Sequence, residues 1–252
     1  MKILKYKKGS KGKYKVILED GRELSLYEEV ILKYELLLSK EIDEKDLIAI
    51  DKCNQEWDVY YVALNSINHR FKSVYELRLW LLKKEYPKDL IDPVIDKLIK
   101  QGYLNDRSYA KSFINTQMIT THNGPYKISR ELAEKKVSSE IIEEEIQVFG
   151  EEEQEERVRK IIERGIKSNR NKGGFVLKQK IYQDLKNLGY EISLLNRIID
   201  SYEFPNDSSI AKREYEKYYR KYSQKYSGQE LELKIREKLY QKGLKYEKEF
   251  DE

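Results

Sequence analysis

Four leucines spaced by about fifty residues constrain this chain more than any other feature. Leu81, Leu132, Leu185 and Leu239 follow one another at intervals of 51, 53 and 54 residues. Four positions before each stands an apolar partner, Leu77, Ile128, Ile181 or Ile235, and five positions after it stands another, Tyr86, Val137, Tyr190 or Leu244. Residues i and i+4 share one face of a helix, so each pair marks a buried stripe, and the later residue follows the break where that helix ends. Helix starts recur at matching places. Ser73-x-x-Glu76 and Ser227-x-x-Glu230 have the order of capping boxes, Gly124-Pro125 puts proline near a first turn, and the third copy has Gly173-Gly174 instead.

A further helix follows in three copies, marked by Ile91, Val94, Ile95 and Leu98, by Ile141, Ile142 and Ile146, and by Leu194, Leu195, Ile198 and Ile199. Another precedes, over 60–67, 109–118, 157–166 and 211–222. The spacing predicts three complete three-helix units and a fourth that stops just past Leu244. A unit this small has little interior, so neighbours are expected to stack and bury their apolar faces. The expected fold class is mainly α: tandem three-helix repeats forming an elongated, curved array behind a small N-terminal β-hairpin and helix cap. The expected boundaries are 1–55 for the cap, 56–104, 105–150 and 151–204 for the complete repeats, and 205–252 for the partial fourth. Linkers are expected near 102–106, 149–156 and 203–209.

The cap is read from a change of period. Residues 14–18 and 23–26 alternate as strands, and Asp20-Gly21 between them signals a tight hairpin, with a third short strand over 3–6. From Leu26 the spacing turns helical through Val30, Ile31, Tyr34, Leu37 and Leu38, and Asp43 is placed to cap a second helix through Leu47, Ile48 and Ile50.

Composition agrees with helices carrying a thin apolar stripe: 37% of residues are charged and 39% hydrophobic, with only 4 prolines and 12 glycines to break long segments. Cys53 is the only cysteine, which excludes an internal disulfide framework and a thiolate metal cluster. No apolar signal region opens the chain and no stretch approaches the ~20 apolar residues of a membrane span, so a soluble, cytoplasmic protein is expected. His69 and His122 stand in different repeats without a histidine partner at metal spacing, and abundant carboxylates identify no acid and base pair. The turn at 169–174, Asn-Arg-Asn-Lys-Gly-Gly, lacks the order of a phosphate loop. No enzyme activity, metal or cofactor is expected.

The wording of the repeats carries a family resemblance. Ser73-Val-Tyr-Glu-Leu-Arg-Leu-Trp-Leu81 resembles the S-x-x-E-L-R-x-x-L opening of the RecX family. Residues 102–113, Gly-Tyr-Leu-Asn-Asp-Arg-Ser-Tyr-Ala-Lys-Ser-Phe, are similar to its G-Y-L-[DN]-D-x-x-[YF]-A-x-x-[FY] junction, and residues 124–132 to its G-P-x-x-I-x-x-E-L segment. The resemblance covers Trp57 to about Ile146, and the repeat spacing extends it to Leu244. The double glycine of the third repeat departs from the pattern. The resemblance implies a regulator that binds RecA and lies along the groove of RecA filaments on single-stranded DNA. It further implies inhibition of ATP hydrolysis, strand exchange and RecA-stimulated repressor cleavage. A monomer is expected.

Candidate contacts follow from the aligned leucines. Five positions before them stand Glu76, Lys127, Lys180 and Lys234; three positions after stand Lys84, Lys135, Leu188 and Lys242. These sites lie on one flank of the stripe and make an interrupted basic ridge suited to acidic side chains or phosphates. The alternative is that the lysine stems merely cover the stripe. Arg78, Arg130 and Arg236 add guanidinium forks able to grip a carboxylate or phosphate.

The second function class is direct DNA binding. Between Ala211 and Lys248, 12 Lys or Arg stand against 6 Glu. Lys217, Arg220, Lys221 and Lys225 interleave with Tyr215, Tyr218, Tyr219, Tyr222 and Tyr226 in a pattern able to stack bases and hold phosphates, with Arg170 and Lys172 as further contacts. The same tyrosine spacing is how a helix buries one face. Tyr103 and Tyr109 are expected to seat neighbouring helices.

Overall fold

Asp20-Gly21 makes the turn its chemistry predicts. Gly21 takes φ +84°, its N–H donates to the Leu18 carbonyl, and the Leu18 N–H closes the hairpin on Arg22. Three antiparallel strands result, in the order β1 (Ile3–Lys8), β2 (Lys13–Leu18), β3 (Glu23–Tyr27). Val16 pairs with Tyr6 and Leu24, and Leu18 with Ile3, so one face is apolar. That face packs on α1 (Glu28–Lys33) and α2 (Leu36–Ser39), around Val30, Ile31, Leu36, Ile42 and Ile50. The computed structural model describes residues 1–10, 12–205 and 207–245. Lys248, counted in the basic tail, lies outside them.

Two sequence expectations give way here. Asp43 is not a helix cap: it lies in the turn ahead of α3 (Leu47–His69), whose cap position is Asp46 without a side-chain bond. The helix expected over 47–50 and the one over 60–67 are a single 23-residue helix, because nothing between them breaks it, and it passes through position 55/56 without interruption. Trp57 sits at the seam, packed against both the cap core and the core that follows.

That second core is made by α3, α4 (Val74–Lys83) and α5 (Lys88–Lys100), whose Leu77, Leu81, Ile91, Ile95 and Leu98 are fully buried. Each such side chain contributes about 1.5–3 kcal/mol relative to exposure. The chain continues as α6 (Asp106–Thr120), α7 (Pro125–Glu134) and α8 (Ser139–Glu145) with a 3-10 turn at Ile146–Val148. Then come α9 (Glu151–Ser168), α10 (Gly174–Asn187) and α11 (Ile192–Ile199), and finally α12 (Asp207–Tyr222) and α13 (Gly228–Tyr240). The fold is therefore mainly helical, with thirteen α-helices and one three-stranded sheet among the described residues.

The linker expected at 149–156 is mostly helix. Glu151, Glu152 and Glu153 occupy the first turn of α9, where carboxylates are stabilised by the unpaired N–H groups and the helix dipole. The chain divides into two compact units: Met1–Ala110 with Lys135–Ser138, and Lys111–Glu134 with the segment from Ser139 on. The second unit has its own C-terminal core of Ile210, Ala211, Tyr215, Leu231, Ile235, Leu239 and Leu244.

Candidate functional site

The helices that carry the aligned leucines, α4, α7, α10 and α13, share a terminal device that the sequence spacing registers only as a break. The fourth residue after each leucine, Glu85, Lys136, Gly189 or Gly243, is left-handed, with φ between 59° and 85°. The next residue turns back: the Tyr86, Tyr190 and Leu244 N–H groups donate to the carbonyls of Leu81, Leu185 and Leu239 at 3.3, 3.4 and 2.9 Å. This satisfies helix-end carbonyls and drops the fifth residue onto the buried leucine, which is why that position is always apolar.

The residue just before the left-handed one forms a joint. Within the first unit, the Ser73 hydroxyl donates to the Lys135 carbonyl at 3.0 Å while accepting the Glu76 N–H at 3.1 Å. Within the second, the Gly124 N–H donates to the Leu188 carbonyl at 2.7 Å and the Gly173 N–H to the Lys242 carbonyl at 3.0 Å. Lys135, Leu188 and Lys242 are equivalent positions, and Ser73, Gly124 and Gly173 each lead directly into an aligned helix. Gly124 is required by proximity: a Cβ there would meet the Gly189 carbonyl oxygen at 2.6 Å. The recurrence of Gly or Ser ahead of the helix was visible in the sequence; its partner was not.

Ser73 and Glu76 form the capping box that their spacing predicts. Ser227 and Glu230 do not: Gly228, at φ +56°, redirects the chain at the first helical position, and the Ser227 side chain makes no cap bond.

The joint takes up two of the ridge lysines. Lys135 reaches Glu76 at 2.6 Å, with both side chains about a quarter exposed. Lys242 reaches the buried Glu214 at 2.6 Å and lies over the Tyr218 ring. Burial alone would lift the Glu76 carboxyl, but the Lys135 amine, the Ser73 N–H and the Tyr109 hydroxyl outweigh it and hold it below its usual range. Nearby Asp106 goes the other way, pushed up by burial despite accepting the Val74 N–H at 2.8 Å. Tyr109 is buried beside this pair, whereas Tyr103 is 54% exposed.

Other ridge positions find local partners. Lys180 pairs with Asp184 at 2.7 Å and Lys234 with Glu237 at 3.0 Å, while Lys84 lies against the Trp80 ring. Lys127 is half-buried under Gly189 and makes no side-chain hydrogen bond or ion pair among the described residues. Arg78 is half-buried and bonded to Asp92, which ties α4 to α5. Arg130 is exposed, with Glu134 only at 3.9 Å, and Arg236 is exposed without an ion pair among the described residues.

In α12 the tyrosines follow the packing alternative: Tyr215 is buried and Tyr218, Tyr222 and Tyr226 lie half-buried against the C-terminal core, leaving Tyr219 44% exposed. Lys217, Arg220, Lys221 and Lys225 all face solvent. Arg170 is exposed and Lys172 partly so, in a turn held by the Lys172 N–H on Asn169 and by the Arg213 guanidinium on the Arg170 carbonyl. One groove escaped the sequence reading. Phe175, Lys178, Gln179, Tyr182, Asn196 and Asp200 line an open cleft of about 550 Å³ along α10 and α11.

Among the described residues no three His, Cys, Asp or Glu side chains gather to hold a metal ion, and no helix is long and apolar enough to cross a membrane. Cys53 is buried, with the Lys33 amine 3.6 Å from its sulfur.

Comparison with known proteins gives concordant matches. Residues 60–98 match the family model described as RecX, first three-helix domain, and residues 105–145 that of RecX, second three-helix domain. The Regulatory protein RecX of Listeria monocytogenes serotype 4a (strain HCC23) is 30% identical over 212 residues, 82% of this chain and 79% of that one. The Regulatory protein RecX of Bacillus subtilis (strain 168) is 29% identical over 245 residues, 96% of this chain and 92% of that one. A crystal structure of regulatory protein RecX superposes with a TM-score of 0.73 at 26% identity, covering 79% of this chain and 99% of that one. That of RecX from Lactobacillus salivarius gives 0.55 at 25% identity over 59% and 96%.

Proposed function

Since the chain belongs to the RecX family, we propose that it is a non-enzymatic regulator that binds RecA and the RecA filament on single-stranded DNA and restrains the filament. Restraint would lower ATP hydrolysis, strand exchange and RecA-stimulated repressor cleavage. The observation that carries the reading is the 30% identity to a regulatory RecX protein across 79% of its length, with both three-helix domains matched in order. The repeat architecture supports it: a filament offers its partner the same surface again and again, and tandem helical units can meet it with equivalent positions. The reading takes the protein to act as a cytoplasmic monomer without a cofactor.

Of the basic candidates, Arg130 and Arg236 are the contacts we favour. Both are exposed and, among the described residues, free of a close internal ion pair, and an arginine fork grips carboxylate and phosphate alike. Lys127, Lys180, Lys234 and Lys84 would add charge around them. Arg78, Lys135 and Lys242 already hold internal carboxylates, and exchanging those for a partner's would gain little.

The second reading, direct nucleic-acid binding, is favoured by the exposed run Lys217, Arg220, Lys221 and Lys225 on α12. ATP hydrolysis by RecA on single-stranded DNA distinguishes the two when the protein is added after filaments have formed. Inhibition at amounts far below RecA supports filament regulation. Inhibition only at amounts that coat the DNA supports the second reading.

A further inference from the structure

The first fifteen residues hold seven lysines, and no acidic residue occurs before Glu19. The strand register sorts these lysines by face. With Val16 and Leu18 buried, the opposite face of β2 carries Lys15 and Ile17. Across from them on β1 stand Lys7 and Lys5, and on β3 Ser25 and Glu23. Lys5, Lys7 and Lys15 are all exposed, and Lys7 lies directly opposite Lys15.

Like charges facing each other across an antiparallel pair repel at a Cβ separation of about 5 Å. One acid answers them on this face: Glu23, 3.3 Å from Lys15. Among the described residues neither Lys5 nor Lys7 has a carboxylate in reach. Protection of a sheet edge accounts for lysines on β1, but β2 is the central strand and has no edge to protect. Lys13, at the end of this face, shows the contrasting case: it is neutralised by Asp58 at 2.8 Å and lies over the Tyr27 ring.

We infer that the outer face of the N-terminal sheet, through Lys5, Lys7 and Lys15, binds the phosphodiester backbone of single-stranded nucleic acid. Strand geometry sets Lys5 and Lys7 about 7 Å apart along β1, and Lys15 stands beside Lys7 on the neighbouring strand. A short ladder of cations at regular intervals complements a polymer with one phosphate per residue, and neutralising it relieves the Lys7 to Lys15 repulsion. The lysines stand on two neighbouring strands of a three-stranded sheet and not on a helix that could enter a duplex groove, so a flexible single strand is the form that suits them. Besides the half-buried Ile17, Leu4 next to Lys5 is 67% exposed, and two isolated aliphatic side chains offer little area to bury in a lipid surface. This site is separate from the helical repeats and does not rest on RecA binding.

The test uses the full chain and a fluorescent oligothymidine, without RecA, over a salt series. For the triple variant Lys5→Ala, Lys7→Ala, Lys15→Ala, affinity at low salt should fall by tenfold or more. The slope of log affinity against log salt should flatten by about 2, near 0.7 for each phosphate left unneutralised. The Lys→Arg triple should keep both. Unchanged affinity and slope in the alanine variant would overturn the assignment. A second measurement needs no variant: chemical acetylation of the wild-type protein should spare Lys5, Lys7 and Lys15 when oligothymidine is present. Equal labelling with and without it, or protection only by phosphatidylglycerol vesicles, would overturn it as well.

Discussion

Glu76 divides its carboxylate between two jobs: one oxygen accepts the Ser73 N–H at 3.2 Å to close the cap of α4, and the other receives the Lys135 ammonium at 2.6 Å. Glu76→Gln should therefore weaken cap and joint together and destabilise the first unit by about 1–2 kcal/mol, the ion-pair part discounted for its partial exposure. Lys135→Met should cost less, and the double variant should cost less than the sum of the two. Trp57 and Trp80, the only tryptophans, both lie in the first unit, so their fluorescence in a urea titration reads this directly.

The same carboxylate makes a pH prediction. Its folded pKa is held below the unfolded value of 4.5, so its contribution is fully present above that value and is lost as pH falls through the folded one. The difference in urea midpoint between wild type and Glu76→Gln should be constant near neutrality and shrink once the pH drops below 4.5. A difference that persists unchanged in acid would mean that packing, and not charge, is what the glutamine disturbs.

At the left-handed position, Glu85 and Lys136 occupy a conformation that glycine adopts without strain, as Gly189 and Gly243 do in the other repeats. Glu85→Gly and Lys136→Gly are each expected to stabilise the protein by up to about 1 kcal/mol, an uncommon sign for glycine in a helical chain. Gly189→Ala should go the other way by about 2 kcal/mol or more, since its Cβ would meet the Lys127 backbone nitrogen at 2.5 Å. Thermal melting followed by circular dichroism checks all three.

Arg130→Ala with Arg236→Ala should weaken binding to RecA filaments while leaving the melting temperature and helicity unchanged. Arg78→Ala should do the reverse, because it removes the tie to Asp92. Filament affinity that ignores the first pair would count against the assigned contacts without touching the family.

The sequence carried the helices because their apolar stripes repeat, and each aligned leucine is buried with its partner four residues earlier. It could not carry the joints, since each is accepted by a main-chain carbonyl: nothing in the letters of Leu188 says that its carbonyl accepts the Gly124 N–H. Charge was misleading for a related reason. Lys135 and Arg130 look alike as letters in a ridge, and only the approach of Glu76 from 59 residues away separates an internal tie from an exposed fork. Ser73 and Ser227 likewise share a capping pattern, and the left-handed glycine after the second decides which of them caps.

A connection accepted by a backbone carbonyl is indifferent to the side chain that carries it. The carbonyl that closes each joint belongs to lysine, leucine and lysine in turn, with no consequence for the bond it accepts. Successive copies are then free to diverge in their outward residues as long as the left-handed turn and the small residue ahead of the helix survive. One scaffold can in this way be re-lettered, repeat by repeat, to follow a changing partner.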